Sequence, residues 1–190
     1  MAALSDSGGD DALLARIAQG DAAAVRLLVR AKLPRVLGLA TRLVRDHGEA
    51  EDIAQEVFVR VWKHAPVWEP GRARFDTWLH TVTLNLCRDR LRKRIDAPAA
   101  VLPEGADPTP SAERRLLDID RERSVVAAIH ALPERQREAI ALAHYQGLSN
   151  PEIAEALATS IEAVESLLAR ARRTLRRTLM ETNDDRPTDD

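Results

Sequence analysis

Residues 149–177 read SNPEIAEALATSIEAVESLLARARRTLRR, and the fold turns on this stretch. Ser149 stands three residues before Glu152, and Thr159 three before Glu162, so two capping boxes ten residues apart predict two consecutive helix starts. Ile153, Ala154 and Leu157 fall on one face of the first helix. Ile161, Val164, Leu167 and Leu168 form the matching stripe on the second, so the two faces can be buried together. Ala154 is small where the helices cross, and Ala158, Thr159 and Ser160 supply the turn, which a glycine would relax more readily. The predicted unit is a helix-turn-helix whose second helix ends in arginines, a device that enters the DNA major groove.

The other 161 of the 190 residues must supply its context. Hydrophobic residues make up 45% of the chain, an ordinary share for a folded protein, whereas aromatics are only 3%, so the mixture favours helices over strands. No apolar run approaches the roughly 20 residues that span a bilayer, and MAALSDSGGDD lacks the basic and apolar regions of a signal peptide. A cytoplasmic protein without membrane insertion is expected. The single cysteine, Cys87, excludes an internal disulfide framework and a zinc site of several thiolates, and reads as a small buried residue.

A formal net charge of −2 conceals strong local asymmetry. Residues 88–94, RDRLRKR, hold five cations and one anion, and residues 170–177, RARRTLRR, hold five cations and no anion. Clustered cations of this kind neutralise phosphates whatever the total charge.

From Asp11 to about Lys63 apolar residues recur at helical spacing, with Leu13, Leu14, Ile17, Val25, Leu28 and Val29 followed by Leu37, Leu39, Leu43 and Val44. Helices joined by short turns are predicted here. After a break at 46–48, EAEDIAQEVFVRVWKHA turns Ile53, Val57 and Val61 inward and leaves Asp52, Gln55 and Glu56 on an outer, acidic face. Residues 66–74, PVWEPGRAR, form a loop, and Phe75 to Arg94 reads as a long helix. Pro98, Pro103, Pro108 and Pro110 exclude a helix in the segment that follows. The expected organisation is all-α. A helical domain over 11–95 and a helix-turn-helix domain over 112–180 are joined by a flexible linker over 96–111, with an acidic disordered tail over 181–190.

Two small domains on one tether, each ending in a basic helix, suggest two contacted DNA elements. The chain resembles the extracytoplasmic-function (ECF) group of the bacterial sigma-70 family. The resemblance rests on four ordered motifs: AEDIAQEVFVRVWK at 50–63, FDTWLHTVTLNLCRDRLRK at 75–93, ALPERQREAIALAHYQGLS at 131–149 and EIAEALATSIEAVESLLARARRTL at 152–175. It covers nearly all of the chain except the linker and the termini.

This resemblance implies an alternative sigma factor that binds core RNA polymerase through the clamp of the largest subunit and the flap of the second. It also implies promoter DNA as a ligand and control by an anti-sigma factor. Asp52, Gln55 and Glu56 match the stretch that docks on the clamp, where carboxylates and amides on one helical face can bond partner arginines. For the minus-ten element the matching residues are Trp68, Arg72, Arg74, Phe75, Trp78, Asn85, Arg88 and Arg92. Asn85, Arg88 and Arg92, at i, i+3 and i+7, share a face able to follow a strand's phosphates. For the minus-35 duplex they are Ser160, Glu162, Ala163, Glu165 and Ser166 at the start of the recognition helix, with Arg170, Arg173 and Arg177 on one face of its cationic end. The chain departs from the commoner pattern at Glu165, which can accept from a cytosine amino group or repel phosphate, and at Ala158, where the family usually has glycine.

No catalytic constellation competes. The five histidines are scattered and neither an HExxH nor a phosphate-cradling glycine loop occurs, so neither an enzyme nor a cofactor is expected; His47 with Glu51 offers two metal ligands, too few for a site. The rival classes are an autonomous dimeric helix-turn-helix regulator and a protein-interaction adaptor.

Overall fold

The computed structural model describes residues 7–44, 46–96 and 124–184, and every regular element among them is helical. The elements are α1 Ser7–Ala18, α2 Ala22–Val44, α3 His47–His64, a single 3-10 turn Ala65–Val67, and α4 Phe75–Asp96. After residues 97–123 come α5 over residues 124–131, α6 Glu134–Ile140 running into a π-helical turn Ala141–Tyr145, α7 Asn150–Leu157 and α8 Ile161–Asp184. The expected linker, beyond Asp96 at the end of α4, and the tail beyond Asp184 lie outside the described residues. Within the expected tail, residues 181–184 are still helical and belong to α8.

Local chemistry sets the helix boundaries. Gly20, at φ +82°, ends α1 with a left-handed residue. Asp21 then starts α2 by accepting from the amides of Ala23 and Ala24 at 2.8 and 3.2 Å, while its carboxylate also takes Arg16 at 2.7 Å. These contacts, led by the Arg16 bond, hold the Asp21 carboxyl below its ordinary range. Asp46 caps α3 through the Glu49 amide at 2.7 Å. The break expected at 46–48 is therefore shorter than that, since His47 and Gly48 already belong to the helix.

α2 is one helix of 23 residues, where the spacing had suggested shorter helices, and it continues through Pro34. Proline removes the bond to the carbonyl four residues back, that of Arg30. Both Arg30 and Pro34 lie on the exposed side, where water can satisfy that carbonyl.

The first module packs α1, α3 and α4 around α2. α3 buries Ala50, Ile53, Ala54, Val57, Phe58 and Val61 and leaves Asp52, Gln55 and Glu56 exposed, as its periodicity predicts. α4 has no clean amphipathic stripe because it is covered on several sides, by α2 and α3 and by α7 of the second module. Leu84 is wholly buried in it, and its truncation to alanine would cost about 2–5 kcal/mol. Thr77, His80 and Thr83 are buried as well; Thr83 satisfies its hydroxyl by donating to the Leu79 carbonyl at 2.8 Å.

The second module packs α6 and α7 against α8, with Ile153, Leu157, Val164, Leu168 and Ala171 at its centre. In α6 the ladder widens into the π turn: the Gln146 amide donates to the Ala141 carbonyl at 3.3 Å, five residues back. Ser149 and Glu152 open α7 as predicted, Glu152 Oε2 accepting from the Ser149 amide and hydroxyl at 2.8 and 2.7 Å. The second cap is one residue later than expected. Ser160, not Thr159, receives an amide, from Ala163 at 3.2 Å, and α8 begins at Ile161. Ala158 ends α7 at φ +50°, ψ +55°, the conformation for which the family pattern uses glycine.

The two modules are not loosely strung. Buried side chains of both join in one continuous apolar cluster. The arginine-rich end of α8 stays outside it: Arg170, Arg172, Arg173, Arg176 and Arg177 are all exposed.

Candidate nucleic-acid interface

The predicted polymerase-facing residues lie where their spacing places them. Asp52, Gln55 and Glu56 are exposed side by side on α3. Glu56 pairs with Arg60 one turn on at 3.1 Å, and Asp52 is 3.5 Å from Arg90 of α4. Both are solvent-exposed contacts that an incoming partner displaces at little cost.

Four rings gather beside the 66–74 loop. Trp78 stacks on His64 with centroids 4.9 Å apart, and Trp68 meets Phe75 edge-on at 5.6 Å. The Trp68 indole donates to Asp11 of α1 at 2.8 Å, which ties the loop to the first helix. Among the residues predicted to touch DNA, Phe75 is only 3% exposed and Trp78 is half-buried in this cluster. Phe75 therefore shapes the floor beneath the loop and offers no stacking face in this conformation. Arg72 and Arg74 are exposed on the loop; Arg72 pairs locally with Glu69 at 2.9 Å.

Asn85 and Arg92 are exposed on α4, Arg92 bonding Asp89 at 2.8 Å. Arg88, between them, faces the other module. Its Nε and Nη2 donate to the two carboxylate oxygens of Glu138 at 2.6 and 2.8 Å, and its Nη1 donates to Asn85 Oδ1 at 3.1 Å. This fork-to-fork pairing, with Glu138 only 2% exposed, raises the Arg88 pKa above its usual value. A second bridge joins Arg74 to Glu152. Burial works against the charged form of Glu152, but bonds from Ser149 and the charge of Arg74 outweigh it and lower its pKa.

Three further contacts close the junction. Arg35 Nη2 donates to the Gln146 backbone carbonyl at 3.1 Å, and the Gln146 side-chain Nε2 donates back to the Arg35 carbonyl at 3.3 Å. His80 lies 3.4 Å from Gln146 Oε1. The Arg42 guanidinium sits 3.7 Å from the centre of the Tyr145 ring. Glu138, Gln146, Tyr145, Arg35 and Arg42 carried no signal in the sequence, because nothing local marks a partner 50 or 111 residues away.

On α8, Ser160, Glu162, Glu165 and Ser166 are exposed at the start of the helix and Ala163 is half-buried. Self-capping with Ser160 lowers the Glu162 pKa, its own amide contributing most. Arg170, Arg173 and Arg177 are exposed further along, and among the described residues none of the three forms an ion pair. The four arginines predicted to face the minus-ten element, Arg72, Arg74, Arg88 and Arg92, are thus already paired, whereas Arg170, Arg173 and Arg177 of α8 are open to an external anion. His47 bonds Glu51 at 3.3 Å as an ordinary exposed i, i+4 pair.

Residues 28–95 match the sigma-70 region 2 model, and residues 122–175 the sigma-70 region 4 model. The chain is 35% identical over 174 residues to the ECF RNA polymerase sigma factor SigK of Mycolicibacterium vanbaalenii, an alignment spanning 89% of this chain and 88% of the relative. A solved structure of CnrH in complex with the cytosolic domain of CnrY superposes with a TM-score of 0.69 at 27% identity, covering 94% of this chain and 99% of the other. The sigma factor RpoE of Bartonella quintana, solved with the anti-sigma factor NepR, gives 0.67 at 25% identity over 85% and 98%. Paired helical modules of this kind, the second a helix-turn-helix, define a transcription initiation factor of the sigma-70 type. Within that class the chain belongs to the ECF group of RNA polymerase sigma factors. It directs promoter-specific initiation by bacterial core polymerase, and no helix among the described residues is long and apolar enough to cross a membrane.

Proposed function

We propose that this sigma factor divides its work between three surfaces. Asp52, Gln55 and Glu56 dock on the polymerase clamp, with the second module on the flap. The loop from Trp68 through Arg72 and Arg74, with Asn85, Arg88 and Arg92 of α4, receives the melted minus-ten strand. α8 enters the minus-35 duplex at Ser160–Ser166 and follows the phosphates with Arg170, Arg173 and Arg177. The cytoplasm is where such a factor meets its polymerase, the chemistry of RNA synthesis belongs to the polymerase, and an anti-sigma factor is a fitting regulator because one structural relative was solved with the anti-sigma factor NepR and another with the cytosolic domain of CnrY.

The observation that carries the reading is the pairing of an exposed acid-and-amide face on α3 with an exposed arginine face on α8 in one chain that belongs to the ECF group. Reconstitution with core polymerase tests it. Asp52→Ala with Glu56→Ala should weaken polymerase binding by about 10-fold without unfolding α3, since both sites are exposed. Arg173→Ala with Arg177→Ala should weaken promoter binding uniformly and reduce its salt dependence by about two phosphate contacts. Promoter shifts by the chain alone, with no promoter-specific transcript on adding core enzyme, would overturn the assignment in favour of an autonomous regulator.

A further inference from the structure

The first two turns of α8 carry acids and no cation. Glu162 and Glu165 are both exposed there, and the first cation of the helix, Arg170, comes five residues after Glu165 and about 140° around the axis. The two acids are not equivalent. Glu162 turns back on its own amide and on the Ser160 hydroxyl, which hold its charge at the helix start. Glu165 has neither bond, and among the described residues it forms no hydrogen bond or ion pair. The positions three and four residues on, where a helical partner would stand, are the buried Leu168 and the bare methyl of Ala169.

A carboxylate loses water and meets like charge as a helix approaches DNA, and a donor on a base edge offsets both. In the major groove cytosine presents only a donor, its N4 amino group. Guanine presents the acceptors O6 and N7, thymine presents O4 and a methyl, and adenine sets the acceptor N7 beside its amino group. A side chain that can only accept therefore favours cytosine over the other three. The cations of α8 lie well past this point. Arg172, the next charged side chain on the Glu165 stripe, is two turns on, about 10 Å along the axis. Base selection and phosphate neutralisation thus fall to different lengths of one helix.

We propose that Glu165 selects a cytosine at one position of the minus-35 element by accepting from its N4 amino group. The inference rests on placing α8 in that duplex, and deepens it by naming the base that the acid demands.

The test is a binding selection. Holoenzyme made from the full chain and bacterial core polymerase is offered a promoter library randomised at both elements, and the retained templates are sequenced. The unaltered chain should enrich cytosine about 10-fold over the other bases at one minus-35 position. Glu165→Gln keeps the shape, but its amide pairs with N6 and N7 of adenine, so enrichment at that position should move to adenine. Glu165→Ala should leave the position unselected. The side chain is exposed, so neither variant threatens the fold. If the minus-35 element is selected but both variants enrich the same bases as the unaltered chain, the cytosine reading falls and the placement of α8 stands. The same conclusion follows if both variants retain every template more strongly with no change of preference, because Glu165 then only repels phosphate. A shift at a position where the unaltered chain enriches a base other than cytosine also overturns the inference. If no chain enriches any minus-35 position, and Arg173→Ala with Arg177→Ala retains templates as before, the placement of α8 itself falls and takes the inference with it.

Discussion

The ammonium of Lys32 donates at 2.7 Å to Oδ1 of Asp76, pinning the middle of α2 to the first turn of α4 with both side chains about nine-tenths buried. The same ammonium takes Asp10 of α1 at 2.6 Å, and Arg35 reaches the second oxygen of Asp76 at 3.3 Å. Three helices thus meet on one buried cation. Lys32→Met leaves two carboxylates facing an apolar group, and the loss of one member of a buried ionic cluster costs about 3–5 kcal/mol. Urea denaturation should show a lower midpoint with an unchanged slope.

Stability should depend on pH in two separate windows. Burial lowers the His80 pKa, and Arg35 adds to this, while Gln146 and Asp76 act the other way without cancelling it. The folded chain therefore keeps His80 neutral where the unfolded chain is protonated. Stability present at neutral pH is lost as pH falls below about 6.5, the ordinary histidine value. Asp76 behaves differently: burial disfavours its charge, but the bond and charge of Lys32, with Arg35, prevail and its pKa is lowered. Its contribution is complete above about 3.9 and disappears as pH falls through the lower folded value. Melting temperatures measured from pH 8 to pH 3 should decline in these two steps, and His80→Asn should flatten only the first.

Ala158→Gly should stabilise the protein. Alanine at φ +50° suffers the left-handed clash that glycine escapes, and its side chain is exposed, so removing it forfeits no packing. Against the larger freedom of glycine in the unfolded chain, a net gain of roughly 0.5–1 kcal/mol is expected, visible as a rise in thermal midpoint.

Cys87 should resist alkylation in the native protein. It is 1% exposed, and burial together with the nearby Glu138 charge pushes its thiol up to about 12, so thiolate is scarce at neutral pH. Labelling with iodoacetamide should require unfolding and proceed freely in 6 M urea.

The helix-turn-helix was legible because its signals are local: a cap, a period and a turn lie within 29 residues. The same locality explains the error at the second cap. Thr159 and Ser160 are adjacent and both able to cap, and only the Ala163 amide, which bonds Ser160, separates them. The exposed face of α3 followed from its period in the same way. α2 was harder to delimit, since its apolar spacing alone does not separate one long helix from shorter ones, and Pro34 is tolerated within it because it lies on the exposed side. The docking of the modules left no trace in any window. The sequence shows Arg88 as a cation sharing a face with Asn85 and Arg92, and nothing in ERQREAI marks Glu138 as its partner 50 residues away. Phe75 and Trp78 illustrate the converse, aromatic residues whose burial depends on which neighbours close over them.

The widened turn at Ala141–Tyr145 makes the chain length there an invariant of the junction. Taking out a single residue would restore a regular α-helix and rotate everything beyond it by about 100° around the axis. Tyr145 would leave Arg42 and Gln146 would leave Arg35, while Glu138, upstream of the turn, kept its place. A one-residue deletion could thus undo half of the clasp and spare the rest.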